Sequence, residues 1–345
     1  MKKIYYITAV FATLFLVGCG DGIDLPGVNV ETDLNKIPLP DNNVNLEQVE
    51  LKPSTEPMLH EGLHTEEDFQ RIRDKKAAGE EPWISAYQLL VESQFSQKTA
   101  DTYPTEWIKR GVSGDENYMN AARGATIAYQ QALRWKIEQD DEYAAKAVEN
   151  LNKWVQTCVG VTGNTNLSLA AGLYGYEFAI AGELLRDYGG WDRADFAAFQ
   201  NWLLKVFYPA NDDFLKRHHD TNALHYWANW CLCNIAAKMA IGIVTDRRDI
   251  YNEGIAHLQT GDTNGRLRRA IYHDYAPDYN FAQWQESGRD QGHTLMCVGL
   301  MGIICQLAWS QGDDFFAYDD NLFLRACEYA ACCNYTNETV PYTTY

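Results

Sequence analysis

The sequence is poor in positive charge. Its 345 residues hold 29 Lys and Arg against 47 Asp and Glu, a formal charge of −18 with histidine neutral. Nucleic-acid binding depends on neutralising phosphates with a basic surface, so that class of partner is excluded and a polyanion is admitted only at a local basic site. After Thr65 there is almost no strand-like alternation, which argues against a β architecture. No signature recurs at a fixed period, which disfavours a regular solenoid. The nine cysteines include no CxxC pair of the kind that nucleates zinc sites. The apolar stretch from Leu295 to Trp309 is short for a bilayer, is interrupted by Gly299 and Gly302, and runs into Asp313 and Asp314; a buried helix is expected there.

What the chain does have is apolar and aromatic bulk. Hydrophobic residues make up 46%, with 10 Trp and 21 Tyr, enough for a large core in one or two domains. Rings with polar tips serve such cores and also stack on sugars.

At the N-terminus Lys2 and Lys3 precede the apolar run Ile4 to Val17, suited to a secretory leader. Leu16-Val17-Gly18-Cys19 resembles a bacterial lipobox, which implies cleavage after residue 18 and lipidation of Cys19. Residues 1–18 are then a signal peptide and 19–56 a linker rich in Asp, Asn, Gly and Pro. Its Val44, Leu46, Val49 and Leu51 offer an alternative, docking on the domain that follows. The expected product is an exported lipoprotein, periplasmic or on the cell surface, held to a membrane only through Cys19.

From 57 to 345 the pattern is helical. Thr65 before Glu66, Glu67 and Asp68 reads as an N-cap with an acidic first turn, opening a helix that stops at Gly79. Further helices are expected near 83–98, 115–138, 141–158, 166–187, 193–207, 221–243, 248–260, 289–311 and 320–333. Those at 166–187, 221–243 and 293–309 are apolar nearly all round, whereas 141–158 and 193–207 are amphipathic, which suits two concentric rings with the apolar helices inside. The cysteines beyond Cys19 lie mostly in apolar helices and read as buried thiols, although an exported protein could oxidise one pair.

His60-Glu61-Gly62-Leu63-His64 matches the zinc-protease pattern H-E-x-x-H, which needs a helix. Pro57 upstream, Gly62 within and the cap at Thr65 place it in a loop, as a chance match; no metal is expected.

Three segments are dense in chemistry. Around His219-Asp220-Thr221-Asn222, continued as helix, Asn222, His225, Tyr226 and Asn229 fall at i, i+3, i+4 and i+7 and would form one polar stripe beside Trp227. In Arg266-Leu267-Arg268-Arg269 to Tyr275, a helix would put Arg268 and Tyr272 on one face and Arg269 and His273 on another. The run Gln283-Trp284-Gln285-Glu286 through Arg289, Asp290 and His293 gathers donors at the mouth of an apolar helix. The basic groups, including Lys216 and Arg217, either focus a positive field on one cleft or simply pair with nearby acids.

These are the parts that β-elimination on a uronate requires: a cation or amide to neutralise the carboxylate, a His or Tyr base for the C5 proton, and a Tyr acid for the departing O4. No cofactor is needed. Asn222-Ala-Leu-His225-Tyr226-Trp227 followed by Arg268 and Tyr272-His-Asp-Tyr275 resembles the alginate lyase superfamily with its all-α, α/α-toroid fold. The whole of 57–345 looks most like polysaccharide lyase family 38. The resemblance implies a monomeric lyase acting on an anionic polysaccharide such as alginate or glucuronan. It also implies Tyr272 as acid, Asn222 and Arg268 as carboxylate neutralisers with Arg266 a competitor, and His225 as base. Aligned without a gap on Tyr226-Trp227, the family histidine falls on Leu224, so His219 rivals His225 for that role. His219, Tyr226, Trp227, Asn229, Arg266, Tyr275, Trp284, Gln285, Glu286, Arg289 and His293 are the expected substrate contacts. Thr339 to Tyr345 follow directly on a helix where one more is expected to close the toroid.

Two other readings compete. An inverting hydrolase on the same architecture would use two carboxylates among Asp220, Glu286 and Asp290. A non-catalytic glycan-binding lipoprotein would keep the aromatic and basic residues without needing Tyr272.

Overall fold

The computed structural model describes residues 54–336 and 339–345, so the leader, Cys19 and nearly all of the linker lie outside the described residues. The first helix, α1 (Glu66–Ala77), begins with a capping box: Thr65 Oγ1 accepts from Asp68 N and Asp68 accepts from Thr65 N. After α2 (Trp83–Glu92) and strand β1 (Trp107–Arg110), helices alternate between two layers. The inner layer is α3 (Tyr118–Glu138), α5 (Leu167–Leu184), α8 (Ala228–Val244) and α11 (Gln291–Ser310), each packed on the next. The outer layer holds α4 (Asp141–Thr157), α6 (Arg193–Val206), α7 (Tyr208–Arg217), α9 (Arg248–Thr260) and α12 (Tyr318–Tyr335).

Apolar content decides the layer. Every residue of α8 except Trp230 is buried. A β-carbon on Gly172 of α5 would stand 2.5 Å from Cys233 Sγ of α8, so glycine is what lets these two helices approach so closely. The outer α4 instead buries one stripe through Ala144, Ala147, Leu151 and Trp154 and turns Lys146, Glu149 and Lys153 to solvent. Helix α11 is 20 residues long and, by length and composition alone, could cross a membrane; it packs against α8 and α12 as a core helix.

The C-terminal ends of the four inner helices meet at the 60–64 loop, where Lys136, Glu183, Asp246 and Gln311 gather, so these helices run in parallel and present their N-termini at the other end. Parallel strands β1 and β2 (Gly160–Gly163) lead into α3 and α5 there, and the antiparallel pair β3 (Ile271–Asp274) and β4 (Ala282–Trp284) leads into α11. The opposite end is closed by residues 54–64. Gln311, just past α11, holds Leu59 and Glu61; Arg248 and Asn252 of α9 hold the carbonyls of Ser54, Glu56 and Pro57. His60 and His64 lie in this loop and face different partners, Asp246 at 2.9 Å and the Tyr129 hydroxyl at 2.6 Å.

The structure departs from the expected helices in two places, and a third segment does not take the helix its spacing allows. The break at 207 is followed by another helix, α7, because Pro209 in its first turn costs no hydrogen bond. Residues 221–227 are not helical, and neither is the chain beyond Ala270; both differences reshape the site. None of the eight cysteines of the described residues is in a disulfide; Cys333 is exposed and the rest are wholly or partly buried.

Candidate active site

Helix α7 stops because His218, His219 and Asp220 all adopt left-handed φ of 49°, 52° and 61°. Thr221 Oγ1 donates to His218 O, and Asn222 Oδ1 accepts from Leu224 N at 2.9 Å. Side chains that bond their own backbone in this way displace the helical ladder, which is why Asn222 ends a turn instead of starting a helix. The expected stripe therefore does not form. Asn222 is exposed on a loop, His225 and Tyr226 sit within it, and Asn229 belongs to the buried first turn of α8, its amide against Met296 Sδ.

The loop is nonetheless a defined wall. Tyr226 packs on Trp230 at 4.7 Å, Phe214 at 5.2 Å and the ring of His225 at 4.9 Å. His225 Nδ1 is buried and without a hydrogen-bond partner among the described residues. His219 Nε2 lies 3.0 Å from Ser168 Oγ, and burial lowers its pKa. His218 lies deeper, near Cys231, and burial, reinforced by its two neighbouring histidines, pushes it down to about 4. Asn264 pins the loop from below through the carbonyls of Leu224 and Tyr226.

The facing wall is the β3–β4 hairpin. Ile271 pairs with Trp284, but His273 pairs with Gln283, so Tyr272 is the extra residue of a β-bulge. A bulge bends the strand and re-aims a side chain, and bulges recur beside active sites. Here it turns Tyr272 onto Gln283, whose Nε2 donates to the phenolic oxygen at 2.9 Å. Tyr272 in turn donates to Thr343 O, and Tyr275 donates to Gln283 Oε1 at 2.5 Å. Burial raises the pKa of both phenols. Tyr345 links the two walls: its ring lies 5.2 Å from Tyr272 and 5.9 Å from Trp227, and its hydroxyl reaches Asn264. Residues 341–345 thus lie over the mouth.

Among the cations, Arg268 is a correction. Because the helix ends at Ala270, Arg268 does not share a face with Tyr272; it is buried against Asp319 of α12 as an ion pair. Arg269, partly exposed, lies in the field of Tyr345 and Arg266, and Arg289 stacks on Trp227 at 5.5 Å. Lys216 and Arg217 pair with Asp212 and Asp213 on the surface. Sequence reasoning missed two residues here. Arg110, at the end of β1, is only 7% exposed, lies over the Tyr118 ring, and leaves Nη1 without a partner among the described residues. A lone arginine in a short strand carries no pattern that would single it out. Gln283 had a signal, its place at the head of the polar run, but its role depends on the bulge.

The rest of that run is structural. Trp284 is fully buried and donates to Ala326 O, anchoring α12. Gln285 and Glu286 cap α8 from a distance, accepting from Ala228 N at 2.8 Å and Asn229 N at 3.3 Å. Glu286 also meets Arg289, and burial raises its pKa. Asp290 caps α11 through His293 N and holds the His293 ring at 2.6 Å, while Asp220 is exposed beside Arg217. Two of the three carboxylates suggested for hydrolysis, Glu286 and Asp290, are therefore committed elsewhere, and Asp220 stands exposed on the surface.

Concentric helices carrying an aromatic, histidine-lined mouth with a bulge-held tyrosine define an α/α-toroid polysaccharide lyase. The family model described as Alginate lyase matches residues 72–338, and the chain belongs to that family. The fold is shared with alginate lyase A1-III from Sphingomonas species A1 at a TM-score of 0.56 and 13% identity, covering 80% of each chain. It is also shared with an alginate lyase from Bacteroides ovatus at a TM-score of 0.56 and 15% identity, over 77% of this chain and 81% of that one. A variant of A1-III complexed with a tetrasaccharide matches at a TM-score of 0.55 and 14% identity, over 77% of each. No curated protein matches significantly.

Proposed function

We propose that this lyase cleaves a polyuronate, alginate or glucuronan, by β-elimination at the mouth formed by the 218–227 loop and the β3–β4 hairpin. The observation that carries this is Tyr272, set in a bulge with its hydroxyl directed at an oxygen acceptor. Arg269, with Arg266 and the exposed amide of Asn222, draws charge from the uronate carboxylate and so acidifies C5. His225, partly exposed on the 218–227 loop, takes the C5 proton; His219, bonded to Ser168, is the rival. As the C5–H pair becomes the C4=C5 double bond, the C4–O4 pair leaves with O4, which receives the Tyr272 proton. Substrate takes the place that Thr343 O occupies. Trp227, Tyr226 and Tyr345 supply ring surface for the sugars, and Arg289 and Arg110 further positive charge.

Ultraviolet absorbance of the unsaturated product tests this on polymannuronate, polyguluronate and glucuronan. Wild type is expected to give a rise on one of them that Tyr272→Phe lowers by at least about 100-fold, the low end for general acid catalysis. A folded protein with no rise on any polymer overturns the reading.

For the N-terminus we infer an exported lipoprotein acylated at Cys19, supported by the Lys2-Lys3 start and the Leu16-Val17-Gly18-Cys19 box. Fatty-acid labelling that persists in Cys19→Ser would refute it.

A further inference from the structure

Gln283 is completely buried, yet all its hydrogen bonds are spent on the site. Its Nε2 donates to the Tyr272 oxygen at 2.9 Å and to Thr343 O at 2.8 Å; its Oε1 accepts from the Tyr275 hydroxyl at 2.5 Å and from Thr343 N at 3.0 Å. The Tyr275 hydroxyl donating into Oε1 orients the amide so that its N–H faces Tyr272. The bulge puts Tyr272 and His273 together opposite this one residue, so no other side chain of β4 can take the position.

We propose that Gln283 is the positioning residue of the elimination, holding the Tyr272 phenol in place and stabilising the phenolate it becomes. The proposal rests on Tyr272 being the acid. When the Tyr272 O–H bond breaks and its proton goes to O4, negative charge is left on the phenolic oxygen. An N–H already aimed at that oxygen strengthens as the charge develops, because hydrogen bonds to an ionised acceptor are stronger than those to a neutral one and favour the charged form. The phenolate then regains a proton from solvent. Burial opposes this charge, so without a donor at that oxygen the phenol would be a poor acid where it stands. The second N–H of the same amide nitrogen and the Tyr272 O–H converge on Thr343 O, which marks a spot where both can hold a substrate oxygen. Tyr275, with its oxygen on Gln283 and not on the acceptor carbonyl, supports the amide without taking part in proton transfer.

The test compares kcat and KM against pH for wild type, Gln283→Leu, Gln283→Glu, Tyr275→Phe and Tyr272→Phe, on whichever polymer wild type cleaves. Gln283→Leu is expected to lower kcat tenfold or more with KM changed less than about threefold, and to move the alkaline limb of kcat upward, because a less stabilised phenolate means a weaker acid. Gln283→Glu, nearly isosteric and with a carboxylate in place of the donor, should shift the limb at least as far. Tyr275→Phe should shift it less, in the same direction. If Gln283→Leu does not fold, Gln283→Glu and Tyr275→Phe decide the matter. Profiles that superpose on wild type, or losses confined to KM, while Tyr272→Phe is inactive, overturn the role of Gln283 alone. A fully active Tyr272→Phe overturns the acid assignment and this inference with it.

Discussion

Asn264 bonds the carbonyl of Tyr226 at 2.9 Å with the same amide nitrogen that reaches Leu224 O at 3.1 Å. One buried side chain therefore fixes the backbone on both sides of His225.

Replacing Asn264 with Ala removes a donor from two carbonyls, and an unsatisfied buried polar group costs about 1–3 kcal/mol. The stability loss should fall in that range, and kcat should drop more than tenfold as His225 loses its setting. Urea denaturation together with steady-state kinetics checks both; unchanged kcat in a destabilised protein would mean that the loop keeps its shape without Asn264.

Arg268 and Arg269 are neighbours with opposite tasks. Arg268→Met leaves Asp319 buried without its cation and should cost about 3–5 kcal/mol of stability, the usual penalty for breaking a buried pair from one side. Arg269→Ala should raise KM severalfold and leave the denaturation midpoint in place. A KM effect confined to Arg268→Met would return the carboxylate contact to that residue.

Acid should weaken the fold before it unfolds it. Burial holds His64, His218 and His257 at about 4 in the native state, against about 6.5 in an unfolded chain. Folded pKa values below unfolded ones mean that the unfolded chain takes up the protons. The contribution is complete above about pH 6.5 and is lost as pH falls toward 4, by up to about 1.4 kcal/mol per pH unit for each histidine. Glu177 has the opposite sign: burial raises it to about 8, so its penalty grows as pH rises from about 4.5 to 8. Denaturation midpoints across pH should fall on both sides. His257→Gln should flatten the acid side and Glu177→Gln the alkaline side; unaltered slopes would show that these groups titrate freely in the fold.

Layering was legible because it follows from average polarity: 141–158 and 193–207 read as one-sided and are outer helices, while 166–187 and 293–309 read as apolar throughout and are inner ones. The site was legible in residue type more than in arrangement. Periodicity extends α8 back to Thr221 and allows α10 (Leu267–Ala270) to run on to Tyr275, since both segments have helical spacing. Local chemistry prevailed over spacing in each case. At Asn222 a side chain captured the backbone, and at Tyr272 cross-strand pairing with a segment ten residues onward formed a bulge. That pairing is why helical spacing puts Arg268 on the wrong face and why Gln283 stands out in the sequence only as the head of a polar run. Trp284, Gln285 and Glu286 showed the converse problem, since a polar aromatic run at a helix mouth looks the same whether it holds a sugar or caps the helix beside it.

The segment from Ser54 to Leu63 enters at the base of the toroid, where Asn252 and Gln311 receive it, at the far end from Tyr272. The acyl anchor proposed at Cys19 would therefore load the floor of the barrel and leave its opening free. With such an anchor, the length of the chain upstream of Ser54 could change without touching the end that carries Tyr272.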